Sequence, residues 1–294
     1  LIITHPNFID AANQLADFRI ENDSMDVAVV EINQVYNEFS SGKQDITAIR
    51  DFAKSIYKKD TENKFKYLLL FGDCSYDYKN RIAGNTNFIP VYEAIESMDP
   101  TDTYSSDDFY GFFEDNEGLW RESPADKDKL NIGIGRIISK TATEADQIVN
   151  KIIYYSKNES VFGKWKNEIT LIGDDGDNNS HIGSAESYAK YIEDNHPEYN
   201  VNKIYIDAYA QVPTANGQRA PEVNDVINRK IETGTFITNY TGHGGELGLA
   251  HERILTNEMI NNWDNLNKLT LLFTATCEFG RFDDPDRRSG AEVM

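Results

Sequence analysis

Six short apolar runs, each ending in glycine or a reactive polar residue, constrain what this chain can fold into. They stand at 66–71 (KYLLLF), 130–134 (LNIGI), 168–172 (EITLI), 203–206 (KIYI), 235–239 (TFITN) and 269–273 (LTLLF). Each has strand length and is bounded by turn residues. Between them lie helix-periodic segments at 43–58, 142–157, 182–194, 222–232 and 256–263. Strands alternating with helices of this length predict βαβ units, hence an α/β fold with a mainly parallel sheet flanked by helices. Ligands of such sheets bind beyond the carboxyl ends of the strands. That is where FGDCSYDY, IGDDGDNNSH, NYTGHGG and TATCEFG fall.

The 294 residues are 39% hydrophobic and 12% aromatic, enough for a sizeable core. A net charge of −20 excludes nucleic acid as a partner, because phosphate binding needs clustered Lys and Arg. The same carboxylates suit Ca²⁺, which takes oxygen ligands. Two cysteines, Cys74 and Cys277, are too few for a disulfide framework. No run of 18 apolar residues reads as a membrane span. IDAANQLADF reads as a helix begun near the first residue, and SGAEVM stops as a helix begins. The expectation is a piece of a longer protein, cut at its carboxyl end. The polar connector SKNESVFGKWKNE at 156–168 suggests two subdomains, residues 1–157 and 158–294. The long segment 74–128, rich in Asp, Ser and Tyr, reads as a functional loop.

Two motifs carry chemistry. In YTGHGG, Gly242, Gly244 and Gly245 surround His243 just past a strand, so the backbone turns sharply and presents the imidazole outward. In TATCEFG, Cys277 follows another strand; the plain alternative is an inert core thiol. The stretch from His243 to Cys277 is long enough for one crossover helix plus loops, which makes the two strands candidates for neighbours. An imidazole beside a thiol takes its proton or holds the thiolate, and so activates a weak nucleophile. Asp174, Asp175 and Asp177 in DDGDNN, and the SSDD stretch at 105–108, are candidate Ca²⁺ ligands, although no bidentate Glu stands at EF-hand distance. Cys74, flanked by Asp73 and Asp77, reads as structural. His181 reads as a helix-start residue. His251–Glu252 lacks the second histidine of a zinc helix.

GHGG followed by TATCEFGRFDDP, with YLLLFGDCSYDY, DTYSSDDFYG, IGIGRI and GDDGDNNSH, resembles the gingipain family of cysteine peptidases in the caspase-like clan. The likeness spans roughly residues 60–294 and is nearest the PorU-type C-terminal signal peptidases (sortases) of the type IX secretion system. The amino-terminal segment before it carries no motif. The resemblance implies a caspase-like, gingipain-type fold in two subdomains. It implies His243 as the catalytic histidine, Cys277 as the nucleophile, and the Gly244 and Cys277 amides as the oxyanion hole. It implies a location on the bacterial outer surface, polypeptide substrates with a C-terminal sorting domain, and other secretion components as partners. The acyl group would pass to water or to a lipopolysaccharide amine, with no cofactor needed for the chemistry and Ca²⁺ at most structural.

Relatives often carry an acid on the strand leading into IGR, where it orients the histidine; here that position is Asn131. An amide can orient an imidazole but cannot stabilise imidazolium by charge, so Asp128 stands as the alternative. Glu278 and Arg281, just past the nucleophile, are read as an ion pair bracing the loop. The rival functional class is a non-catalytic caspase-like or Ca²⁺-dependent binding module of a surface secretion complex.

Overall fold

The computed structural model describes residues 1–94, 104–118 and 128–294. Parts of the 74–128 loop, and the first residues of the DTYSSDDFYG stretch, therefore lie outside the described residues. The chain divides into two compact units, Leu1–Ile153 with Phe282–Asp286, and Tyr154–Arg281 with Arg287–Met294. The sequence pattern places one boundary at 157/158. The division falls a few residues earlier, inside a helix, and a short late segment returns to the first unit.

The first unit holds a four-stranded parallel sheet, β1 (Ile2–Thr4), β2 (Val29–Glu31), β3 (Tyr67–Phe71) and β4 (Gly133–Ile137), in the order β2-β1-β3-β4. Its helices are α1 (Ile9–Asp23), α2 (Ile32–Phe39), α3 (Ile46–Lys59) and α4 (Ala142–Lys157), the last running across the division. Strand side chains alternate between faces. Ile3, Leu68 and Leu70 pack with Ile32 and Val35 of α2 and Ile49 and Ala53 of α3. Ile2 and Phe71 pack with Ala12 and Leu15 of α1 and Ala145 and Val149 of α4. The first two strands are only three residues long, and the sequence pattern misses both. The fourth lies at 133–137 rather than 130–134, because Gly133 is where pairing with Tyr67 begins.

The second unit repeats the plan with β5 (Glu168–Gly173), β6 (Asn200–Tyr205), β7 (Ile237–Thr241) and β8 (Leu271–Ala275), all parallel, in the order β8-β7-β5-β6. Ile169 and Leu171 turn toward Ala189 of α5 (Gly176–Asn195). Ile172 and Tyr240 turn toward Val223, Ile227 and Ile231 of α6 (Pro221–Thr233). Two short helices, α7 (Asn257–Asn261) and α8 (Gly290–Val293), complete the unit. The strand β8 forms one edge of this sheet, and its Leu271 and Phe273 are half exposed. Among the described residues no helix is long and apolar enough to cross a membrane.

Candidate active site

The carboxyl ends of β5, β7 and β8 are level. Gly173 pairs with Thr241, and Thr241 with Ala275. The ladder runs one residue further, because Asp174 N–H donates to Thr241 O (3.0 Å) and Gly242 N–H to Ala275 O (3.1 Å). Every β7–β8 pair has the same sequence offset, from Ile237 opposite Leu271 to Thr241 opposite Ala275. His243 and Cys277 share that offset, two positions beyond the last pair. Neighbouring strands run roughly 4.8 Å apart, and this register puts the two residues just past the ends of neighbouring strands. The chains stay together past the strand ends: a Cβ on Gly244 would stand 2.5 Å from Thr276 Oγ1. Gly244 itself lies in a short strand, Gly244–Gly245, paired antiparallel with Gly248–Leu249.

The backbone of His243 is clamped from beneath. Its N–H donates to Asp174 Oδ2 (2.8 Å), and its carbonyl accepts from the Tyr240 hydroxyl (2.5 Å) and Ala250 N–H (2.8 Å). Asp174 and Tyr240 are both buried. Burial first, and the Asp174 charge second, push the Tyr240 phenol well above its usual range, so it remains a hydrogen-bond donor. Only glycine fits at 242, because a Cβ there would come within 2.2 Å of Asp174 Cβ.

The imidazole of His243 is partly exposed, and its Nε2 lies 3.1 Å from Asp177 Oδ2. The same carboxylate oxygen lies 3.2 Å from Nε2 of His181. The two rings meet edge to face with centroids 5.1 Å apart, and His251 stacks on His243 at 5.3 Å. Asp177 reaches this position because Asp177, Asn178 and Asn179 all adopt left-handed backbone, φ 52°, 55° and 63°, at the start of α5. Asp and Asn accept that region more readily than other residues with a side chain.

Cys277 is exposed, whereas Cys74 is fully buried. The segment after Cys277 is pinned within the second unit. Glu246, 8% exposed, lies 2.9 Å from Arg281 Nη1 and 3.3 Å from Arg287 Nη1, while its carbonyl accepts from Gly290 N–H (2.8 Å). Phe279 is buried beneath Gly290. The sequence suggests that Arg281 pairs with Glu278. In the structure the Arg281 guanidinium reaches Glu246, its own N–H donates to Glu278 O (3.0 Å), and Glu278 is exposed.

The two residues proposed from sequence to orient the histidine make their hydrogen bonds inside the first unit. Asn131 Oδ1 accepts from Phe113 N–H (3.0 Å), and Asn131 precedes β4 rather than lying in it. Asp128 Oδ2 accepts from Gly118 N–H (3.2 Å). The three aspartates proposed for a cation divide. Asp174 and Asp175 offer oxygens within 4.8 Å of a Glu252 oxygen, whereas Asp177 faces the histidines. Glu252 is 7% exposed, its Oε2 has no hydrogen-bond partner among the described residues, and burial raises its carboxyl above the usual range. An orphaned buried carboxylate oxygen beside two more carboxylates fits a hard cation with oxygen ligands. In SSDD, Asp107 is committed to Arg136, whose Nη2 lies 2.6 Å away.

An α/β unit that presents an imidazole and an exposed thiol on neighbouring parallel strand ends has the layout of a cysteine peptidase. The chain belongs to Peptidase family C25, whose model matches residues 1–294 and so takes in the amino-terminal segment, where the sequence shows no motif. Among solved structures it is similar to the complex of Porphyromonas gingivalis RgpB pro- and mature domains. The identity is 20% and the TM-score 0.69, over 99% of this chain and 58% of that one. It is similar to the Arg-specific cysteine proteinase gingipain R (RgpB), at 20% identity and TM-score 0.68, over 99% and 57%. The chain thus spans little more than half the length of these two and shares their fold. Over 52% of this chain, and 15% of the other, it is also similar to dimeric latent PorU from Porphyromonas gingivalis, at 29% identity and TM-score 0.43. No curated protein matches the chain.

Proposed function

We propose that this chain carries the catalytic apparatus of a cysteine endopeptidase with transpeptidase capacity, acting through a Cys277 thioester. The observation that carries the reading is the shared β7–β8 register of His243 and Cys277 within a C25 chain. Asp177 Oδ2 lies 3.1 Å from Nε2, which sets a carboxylate on that side of the ring and leaves Nδ1 as the other ring nitrogen. In this reading Nδ1, away from Asp177, takes the thiol proton and returns it to the leaving amine. Asp177 is then the carboxylate that stands beside the ring, in the place assigned from sequence to Asn131 or Asp128. The Gly244 and Cys277 amides stabilise the tetrahedral oxyanion, worth about 3 kcal/mol per donor in comparable sites.

The substrate class rests on the sequence motifs that resemble PorU-type enzymes: secreted polypeptides ending in a sorting domain, cut at the bacterial surface among other type IX secretion components. The acyl group then passes to a lipopolysaccharide amine or to water. Ca²⁺ enters as a structural ion at Asp174, Asp175 and Glu252, with no chemical step through it. The test is labelling with a peptidyl thiol-reactive electrophile. Labelling should vanish in Cys277→Ala, slow strongly in His243→Ala and persist in Cys74→Ala. Equal labelling at Cys74, or a rate indifferent to His243, contradicts the dyad. Incubating labelling-competent protein with a sorting-domain peptide and an amine then separates transfer from hydrolysis by the mass of the product.

A further inference from the structure

The cluster around Asp177 does more than orient one ring. Nε2 of His181 and Nε2 of His243 both lie close to one Asp177 oxygen, at 3.2 Å and 3.1 Å. Donor atoms on Asp174, His181 and His243 all lie within 4.8 Å of one another. A tetrahedral ion with metal–nitrogen bonds of about 2.0–2.1 Å holds its donors roughly 3.3 Å apart, close to the 3.2 Å and 3.1 Å from Asp177 to the two imidazoles. Two imidazoles on such an ion place their ring centroids about 5 Å apart; the His181 and His243 centroids are 5.1 Å apart. The side chains of His181, His243 and Asp177 are 24%, 38% and 61% exposed, so an ion has a way in. The site shares Asp174 with the Asp174–Asp175–Glu252 group but differs in its donors, since that group offers oxygen only and suits a hard cation.

We propose that His181, His243 and Asp177, closed by Asp174, form a reversible inhibitory site for a borderline-soft divalent ion such as Zn²⁺. The inhibitory half of the proposal rests on His243 being the catalytic base; the binding half does not. A metal on Nε2 displaces the Nε2 proton and leaves the remaining proton on Nδ1. A ring protonated at Nδ1 cannot take the Cys277 proton, so the thiol stays unactivated until the ion leaves. The ion is neither oxidised nor reduced, and one proton is released for each imidazolium that becomes a ligand.

The binding test uses Cys277→Ala protein, which removes the thiol as a rival ligand. Isothermal titration with Zn²⁺ alone should show one equivalent bound, and Co²⁺ should give the visible absorption of a tetrahedral site. Losing even an outer partner of a metal ligand costs ~10–100-fold in affinity, so His181→Gln and, separately, Asp177→Asn should each weaken binding by at least that range. A thermal melt confirms that each variant is folded, and either one alone suffices. Zinc affinity unchanged in both, or zinc bound only when Cys277 is present, overturns the site. In wild-type protein Zn²⁺ should slow electrophile labelling of Cys277, EDTA should restore it, and His181→Gln should relieve the inhibition in proportion to lost affinity. If Cys277 proves unreactive while Cys277→Ala still binds one Zn²⁺ through His181, the catalytic reading fails and the metal site stands. If Cys277 is reactive and zinc leaves its rate untouched, the inhibitory role fails alone.

Discussion

The loop after β3 and the loop after β8 both place a cysteine just beyond a parallel strand, yet the two sulfurs have opposite surroundings. Cys74 has no exposure; its thiol donates to Phe282 O (3.4 Å), and burial pushes its pKa well above the ordinary range. Nearby, Arg136 is buried and makes a two-pronged pair with Asp107 while donating to the carbonyls of Gly72, Ile89 and Pro90. Burial disfavours the guanidinium charge, but Asp107 outweighs it and holds the group protonated. Cys277 instead lies exposed beyond an edge strand, its neighbour in register a histidine with a carboxylate of its own. A cysteine at a strand end is therefore not informative in itself. The surrounding chain decides: a segment that folds back over the sulfur makes a core thiol, and an open rim leaves the sulfur exposed.

The sharpest way to break that contrast is thiol counting. Native protein should give one fast-reacting thiol with a small disulfide reagent and the second only on unfolding, with rates separated by ~100-fold or more. Two thiols reacting at similar rates in the native state would erase the distinction. Next comes Arg136→Met, which strands the Asp107 charge in the first unit. Breaking a buried pair from one side costs about 3–5 kcal/mol, read as a fall in the denaturant midpoint. Ca²⁺ at a hundred times its Kd should stabilise by roughly 2.7 kcal/mol, and Glu252→Gln should remove that increment. Gly242→Ala forces a methyl group against Asp174 and should cost about 1–3 kcal/mol. It should also lower Cys277 labelling while leaving the first unit intact, as proteolysis of the two units would show.

The smallest effect concerns Asp73, buried beside Cys74, where burial raises the carboxyl above its usual range despite hydrogen bonding from Thr86 and the charge of Lys140. A folded-state pKa above the unfolded one gives stability that is complete below about pH 3.9 and is lost as pH rises through the folded value. The melting temperature of Asp73→Asn, relative to wild type, should therefore climb from acid toward neutral pH. A difference that shrinks along that path would reverse the sign of the argument.

The parallel α/β plan was legible because six strands and the helices between them keep their periods. The strands Ile2–Thr4 and Val29–Glu31 were not, since three residues show no period, and the second runs straight into α2 through the Glu31–Gln34 capping box. At the rim, the His243–Cys277 spacing was legible because it equals the strand register. The place of Asp177 was hidden, because three successive left-handed residues re-aim it and no side-chain pattern announces them. The Glu246–Arg281 pair was hidden for a different reason: nearness in sequence favoured Glu278, whereas the hairpin after GHGG brings Glu246 to the guanidinium.

The return of Phe282–Asp286 to the first unit has a consequence for synthesis. Tyr76 N–H donates to Asp283 O (2.9 Å), and the Cys74 thiol is met by Phe282. On a ribosome, the first unit must wait with this seam open while the whole second sheet emerges. A nascent chain stalled at the unit division would carry Cys74 without its cover, and the thiol that is inert in the finished protein would be the one a cytosolic oxidant meets first.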